Sequence, residues 1–367
     1  MKVLFIAPLP PPVSGQSVAA QALLDQLNLD GHTVFTINLS KNTFRQGVSS
    51  FRRIIEILDL TWQTWRSGRD FDAVYLTTSE SLAGNLKDML LLAVLGQLRA
   101  KTWLHLHGGA GMRHILADRT SWIGRLNALF LRRVAGVIVL GERLASMFAG
   151  YVAQDRIQVV KNFAADTLLR DTDKIAQKWA DTSILRVLFL SNLLPGKGHE
   201  ELLQAYQTFS PAIASRFRFD FAGGFESETN EVRFKSAVAD LAGVTYHGIV
   251  HGEAKRALLA QAHIFCLPTF YPYEGQPISI LEAYASGCVV LTTDHSGIFD
   301  IFTPGKNGWE VHPRNPASIR AALEALAAAP ADAEKLAHLN RKEVDLLYTR
   351  QAHLRSLYAA MGWGRPR

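Results

Sequence analysis

IFCLPTFYPYEGQPISILEAYASGCVVLTTD, Ile264 to Asp294, holds two apolar runs with a loop and a helix-like segment between them. The runs IFCL and CVVLTT are continuous rather than alternating, as expected of strands covered on both faces. Pro277 suits the first position of a helix, where its missing N–H costs nothing. Ile278, Leu281 and Ala285 then share one face of that helix. Strand, loop, helix, strand is the repeating unit of a parallel α/β sheet. The same unit carries two glutamates eight positions apart, Glu274 in the loop and Glu282 inside the helix. They lie on different elements, so they do not form a surface ion-pair row. Glu282 by itself reads equally as a helix-surface residue or as an acceptor of sugar hydroxyl hydrogen bonds, the role of the acidic residue in a dinucleotide site.

The pattern repeats along the chain. Lys2 to Ala7 reads as a strand, followed by a Pro-rich loop and a helix from about Gln16 to Asn28. HTVFTINL, FDAVYLTTS, KTWLHLHGG and AGVIVLGERLASMF continue the alternation. It lapses between about Asn162 and Ile184, where FAADTLLRDTDKIAQKWADTS is polar and weakly periodic. It restarts with LRVLFLSN and runs through RFRFDFAGG, VTYHGIV, AHIFCLP, CVVLTTD and GWEVHP. From about Pro316 onward the chain reads as helix. The expected organisation is therefore two doubly wound parallel-sheet domains, 1–165 and 185–347, with 166–184 as a linker. A C-terminal helix of about 348–367 is expected to pack back on the first domain.

At 367 residues the chain exceeds one ordinary core, consistent with two domains. VLFIAP and LLLAVLG are too short for a signal-peptide core or a membrane span, so a cytoplasmic chain is expected. Cys266 and Cys288 lie in apolar runs and read as free buried thiols, and no His/Cys spacing suggests zinc. The net charge of +6 favours an anionic partner. No nucleic-acid signature is present, and a dinucleotide oxidoreductase is disfavoured because PLPPPVSGQS comes after strand one where G-x-G-x-x-G belongs.

In open parallel sheets ligands bind beyond the carboxyl ends of the strands. Those ends carry Gly15, His107 with Gly108 and Gly109, Asn192 with Lys197, Gly223 with Gly224, Ile249, and Glu274-Gly275-Gln276-Pro277. Glycines at helix starts let backbone amides approach an anion, and a lysine beside them supplies a point charge suited to phosphate. One anionic ligand in a cleft between two domains is the expectation.

These residues carry a family pattern. EGQPISILEAYASG resembles the Glu, seven residues, Glu element of retaining glycosyltransferases with the GT-B fold, in glycosyltransferase family four. LFLSNLLPGKGHEELLQAY, FAGG, HGIV, AHIFCLPTF, SGCVVLTTDHSGIFDIF and NGWEVHP keep the family order, so Leu185 to Pro313 matches well and the first half matches more loosely. The resemblance implies two Rossmann-like domains facing across a cleft and transfer of a hexose-type sugar from a nucleotide sugar, UDP-sugar before GDP-sugar. Glu282 would bind the ribose hydroxyls. Glu274 and His107 would stand at the reacting sugar. The amides of Gly275, Gln276 and Ile278, around Pro277, would hold sugar hydroxyls and the diphosphate. Lys197 would pair with the diphosphate, Ile249 would lie at the base, and Gly15 and Gly223 would border the donor. No metal or other cofactor is implied.

Three places depart from the family. Ser191-Asn192 stands where Gly-Arg is usual, so Asn192 offers one hydrogen bond and no charge. Gly15-Gln16 replaces two glycines, and SGIFD replaces a Gly-Gly-x-Pro-Glu pattern. Two basic, aromatic stretches lie in the first half. Ser50 to Arg69 sets Trp62 and Trp65 among Arg52, Arg53, Arg66 and Arg69, and Arg119 to Gly136 sets Trp122 and Phe130 among Arg119, Arg125, Arg132 and Arg133. Each reads either as an amphipathic core helix or as a segment for an anionic inner-membrane surface. Together they suit a polyprenyl-diphosphate-linked glycan acceptor in bacterial surface polysaccharide assembly. The competing readings are a nucleotide-sugar epimerase or hydrolase of the same fold, and a non-catalytic nucleotide-sugar binder.

Overall fold

The structure is a computed structural model that describes residues 1–40, 50–364 and 366, without the side chains of residues 50–54. Two compact units divide the chain. The first comprises Met1–Asn162, Pro272–Gln276 and Gln351–Arg367; the second comprises Phe163–Tyr271 and Pro277–Arg350.

The first unit is a six-stranded parallel sheet: β1 (Lys2–Ala7), β2 (Thr33–Asn38), β3 (Ala73–Thr77), β4 (Thr102–His105), β5 (Gly136–Val139) and β6 (Ile157–Val159), in the order β2-β1-β3-β4-β5-β6. β1 pairs with β2 from Lys2↔Thr33 to Ala7↔Asn38. Residues 3 to 7 of β1 are all buried, because helices cover both faces. Leu4 and Ile6 pack with Met89, Leu92 and Leu131 on one side. Val3 and Phe5 pack with Leu23 and Leu27 on the other, joined by Leu354, Leu357, Tyr358 and Met361 of the Arg350–Met361 helix. A continuous apolar run is what such two-sided burial requires.

The second unit is also a six-stranded parallel sheet: β7 (Leu185–Leu190), β8 (Phe217–Ala222), β9 (Val244–Tyr246), β10 (Ile264–Leu267), β11 (Val289–Thr292) and β12 (Gly308–Glu310). Its order is β12-β11-β10-β7-β8-β9, so the winding direction reverses between β7 and β10. In the first sheet it reverses between β1 and β3. These are the switch points at which doubly wound sheets open a crevice.

Two expectations need correction. Residues 166–184 are part of the second unit rather than a linker. Thr172–Trp179 is a helix with Ile175 and Trp179 buried, and Gly287 (φ +69°) leaves the space that Ile175 fills. Two buried residues one turn apart raise little periodic signal. Pro277 is the N-cap of the Ile278–Ala285 helix, not its first residue, because its ψ of 119° is extended. That helix is buried almost all round, with only Ser279 partly open, rather than along one stripe.

Cys266 and Cys288 are free and buried. Among the described residues, no helix is long and apolar enough to cross a membrane.

Candidate functional site

In the first unit the chain beyond β3 and β4 builds one cluster. β3 ends at Thr77, and Ser79 is pinned by donating its amide to the buried Asp88 Oδ2 at 2.7 Å. Glu80 comes next, and its Oε2 accepts the Gly109 amide at 2.6 Å. Gly109 is the N-cap of the short Ala110–Leu116 helix, so the carboxyl stands where helix amides lack partners. Burial pushes the Glu80 carboxyl up to about 8, with the Glu274 charge adding and the amides of Gly109, Gly111 and Met112 opposing.

His107 precedes the Gly108-Gly109 backbone that meets Glu80, and two further imidazoles act on it, those of His105 and His353. Its ring is 3.9 Å from that of His105, centre to centre. Both of its ring nitrogens are buried, and among the described residues neither has a hydrogen-bond partner. Burial, and then His353, push it down to about 3, so it is neutral near pH 7. His105 is lowered for the same first reason, and its Nδ1 bonds the Tyr75 hydroxyl at 2.6 Å.

The Pro272–Gln276 segment belongs to this unit and is clamped to it. Gln276 Oε1 accepts the Asn162 amide at 2.7 Å, Gln276 Nε2 donates to the Leu140 carbonyl at 2.8 Å, and the Gln276 carbonyl accepts from Asn162 Nδ2 at 2.8 Å. The Gln276 side chain is thus committed to the fold. Gly275 sits against the His107 backbone, and a Cβ there would fall 2.2 Å from the His107 carbonyl oxygen. Glu274, 7% exposed, is thereby fixed in one unit with Glu80 and His107.

In the second unit the loops beyond β7, β8 and β10 are stitched together. Leu193 donates its amide to the Gly224 carbonyl at 2.8 Å, and Gly223 donates to Gly248 at 2.8 Å. Gly223 has φ +146°, and a Cβ there would meet the Ser191 carbonyl at 1.9 Å. No other residue fits that approach. Gly196 and Gly198, at φ +90° and +89°, turn the chain so that Phe270 donates to the Gly196 carbonyl at 2.7 Å. Between them Lys197 holds its ammonium 4.6 Å from the centre of the Tyr271 ring. The His199–Gln207 helix starts at once afterwards. Lys197 therefore stands at the β7/β10 switch point. Asn192 is exposed, and Ile249, beside Gly224, is 66% exposed.

Glu282 is 5% exposed, which removes the helix-surface reading. Its Oε1 accepts from Lys255 Nζ at 2.6 Å, from the Gly252–Gln261 helix. Gly15 opens the Gly15–Leu29 helix of the first unit, capped by Ser14. Among the described residues no group of three or more His, Cys, Asp or Glu is placed to hold a metal ion.

The structure assembles the sequence-selected residues into two groups: Glu274, Gly275, Gln276 and His107 in the first unit, and Asn192, Lys197, Gly223, Ile249, Pro277, Ile278 and Glu282 in the second. Gly15 stands in the first unit. Sequence reading missed Glu80 and Lys255. Glu80 stands three residues past β3, a strand end left out of the inspection. Lys255 is tied to Glu282 across 27 positions, a spacing with no helical or strand period.

The Ser50–Arg66 helix displays Trp62 and Trp65 outward, 55% and 59% exposed, with their rings stacked 5.1 Å apart. Ile55 and Leu58 are exposed on the same helix, and the side chains of Arg52 and Arg53 lie outside the described residues. Trp122 is 61% exposed, whereas Phe130 is half-buried beneath the Arg99 guanidinium.

Residues 171–343 match the family model described as "Glycosyl transferases group 1". The chain is 29% identical over 159 residues to "Putative colanic acid biosynthesis glycosyltransferase WcaL" of Salmonella typhimurium, covering 42% of this chain and 37% of that protein. It is 30% identical over 154 residues to the protein of the same name from Escherichia coli, covering 41% and 37%. The match thus spans just over a third of the length of these relatives. Among solved structures, Anabaena Alr3699/HepE in complex with UDP superposes with a TM-score of 0.74 at 14% identity, over 99% of this chain and 100% of that one. The same protein is also known with UDP-glucose. Two Rossmann-like domains with six-stranded parallel sheets, and these neighbours, give the fold as GT-B.

Proposed function

We propose that the chain is a retaining hexosyltransferase. On this reading it moves a sugar from a nucleotide sugar, UDP-sugar before GDP-sugar, to a glycan or polyprenyl-diphosphate-linked glycan in bacterial surface polysaccharide assembly. Glu282 carries the reading. It is a carboxylate 5% exposed within the matched residues 171–343, in a helix whose other buried residues are Ile278, Ile280, Leu281, Ala283, Tyr284 and Ala285. Burying a charge is costly unless it is paired, and Lys255 pairs it. A carboxylate so fixed is suited to accept from vicinal ribose hydroxyls. The name WcaL supports polysaccharide assembly, and the UDP and UDP-glucose complexes of HepE support uridine.

In this chemistry the bond from the sugar's anomeric carbon to the β-phosphate breaks and a bond to the acceptor hydroxyl forms. The hydroxyl proton passes to the departing phosphate oxygen, and attack comes from the leaving-group face. Lys197 and the amides opening the His199–Gln207 helix would stabilise the charge that develops on the diphosphate. Neutral His107 and the Glu274 carboxylate would contact the sugar. The exposed Trp62–Trp65 pair and the basic residues of the first unit would rest on an anionic membrane where the lipid-linked acceptor lies.

A second reading, a non-catalytic nucleotide-sugar binder, is favoured by one observation: Asn192 brings no charge to the place where the family has arginine. The test is a thermal-shift and turnover panel with UDP, GDP, ADP, dTDP and their sugar conjugates. The transferase reading expects one nucleoside diphosphate to raise Tm and its sugar conjugate to be turned over. Glu274→Ala should abolish turnover while retaining nucleotide binding, and Glu282→Ala should weaken binding. A Tm shift without any turnover, in the presence as well as the absence of a polyprenyl-diphosphate-linked glycan acceptor, would establish the binder instead, and an epimer formed without acceptor would establish an epimerase.

A further inference from the structure

We infer, on the reading that Glu274 serves the transferred sugar, that Glu80 is the positioning residue for Glu274. It holds the His107-Gly108-Gly109 backbone on which the Glu274-Gly275 segment is seated.

Three contacts carry this. Glu80 Oε2 takes the Gly109 amide at 2.6 Å. Its other oxygen lies so close to Gly108 that a Cβ there would fall 1.2 Å from it. The same backbone also meets Gly275, where a Cβ would fall 2.2 Å from the His107 carbonyl and 2.9 Å from Gly108 Cα. The His107-Gly108-Gly109 backbone is therefore in close contact both with the Glu80 carboxyl and with the Glu274-Gly275 segment. Gly111 extends the contact, since a Cβ there would meet both Glu80 and the Tyr273 ring at about 2.8 Å. Glu80 is itself fixed from behind, because Ser79 bonds Asp88 and Lys87 bonds the Ser79 hydroxyl.

The electrostatics agree with the geometry. Glu274 acts on Glu80 through its charge and Tyr273 lies beside it at Gly111, both on the Pro272–Gln276 segment; His107 precedes Gly108 beyond β4, and Arg113 and His114 of the Ala110–Leu116 helix are exposed. Lys87 and Asp88 stand behind Ser79. With its carboxyl pushed up to about 8, Glu80 holds a proton at neutral pH and adds no second charge beside Glu274. Losing that proton would set two negative charges against one backbone strip and loosen the seat of Glu274.

The experiment compares wild type, Glu80→Gln and Glu80→Ala in the full chain. It measures donor turnover from about pH 6 to about pH 9.5 and Tm over the same range. Gln keeps an acceptor for Gly109 and is neutral throughout. Wild-type kcat is expected to fall about tenfold between about pH 7 and about pH 9, and Glu80→Gln to lose that alkaline limb. Glu80→Ala, lacking the acceptor, is expected to lose about a hundredfold in kcat at every pH. The Tm comparison needs no substrate. The folded carboxyl is raised above its ordinary value, so wild-type stability falls as pH climbs towards about 8. The Tm of Glu80→Gln relative to wild type should therefore rise over that interval. An alkaline limb retained in Glu80→Gln, or a Tm difference independent of pH, overturns the inference. A wild type inactive on every nucleotide sugar, with the Tm difference still growing with pH, supports the Glu80 seat and refutes the transferase reading.

Discussion

Gly275→Ala tests the seat of Glu274 by adding one methyl group. The new Cβ would lie 2.2 Å from the His107 carbonyl oxygen and 2.9 Å from Gly108 Cα. Ordinary carbon contacts begin near 3.5 Å, so the two backbones must part by about 1 Å. Both offending groups are backbone, and no rotamer change relieves them. The Gly275 backbone is not in the left-handed region, so the cost is contact and not dihedral strain. Absorbed in place, such overpacking costs about 1–3 kcal/mol, less up to about 1 kcal/mol regained because alanine restricts the unfolded chain. The melting temperature should fall by only a few degrees, about 2–4 °C per kcal/mol. The rate should suffer far more, since a shift of about 1 Å in a reacting group costs about a hundredfold. The assay is initial-rate turnover against donor concentration, paired with calorimetric titration of the free nucleoside diphosphate. The expected result is a kcat about a hundredfold lower with diphosphate Kd changed less than about threefold. Lys197 and Glu282 stand in the other unit and keep their contacts. Wild-type kcat in Gly275→Ala would refute the claim that this packing places Glu274.

Two further outcomes rest on the same reasoning. Lys255→Met strips the cation from a carboxylate whose side chain is only 7% exposed. Lys255 is itself 28% exposed, so the loss should sit at the low end of the range for a broken buried pair, about 3 kcal/mol. Adding Glu282→Gln should recover most of it, and an unchanged Tm in the single variant would show that the pair contributes nothing. For the surface, Trp62→Ala with Trp65→Ala should reduce co-sedimentation with anionic phospholipid vesicles at least about tenfold, because each indole buries a large apolar area in an interface. Equal co-sedimentation of variant and wild type would remove the membrane from the proposal.

The sheets were legible because two-sided burial forces continuous apolar runs, and VLFIA, VLFL and VVLT are such runs. The Thr172–Trp179 helix was not. It is held by one buried pair, Ile175 and Trp179, and by Lys178 donating to the carbonyls of Ala262 and Ser286 at 2.7 and 2.8 Å. A lysine satisfied by distant carbonyls looks in sequence like any solvated lysine. The candidate site divides along the same line. Gly223 and Gly275 were noticed as loop glycines at strand ends, but their necessity rests on carbonyls 32 and 168 positions away, those of Ser191 and His107. Lys255 and Glu282 meet only through the packing of two helices. Glu80 differs from these, because the rule that selected His107 and Lys197 reaches it directly. β3 is an interior strand beside the switch point of its sheet, and from Thr77 the chain runs on into Thr78-Ser79-Glu80. A carboxyl three residues past the carboxyl end of such a strand is placed where ligands and catalytic groups collect. Glu80 is thus legible from the strand ends alone, whereas the effect of the Glu274 charge on it needs the fold.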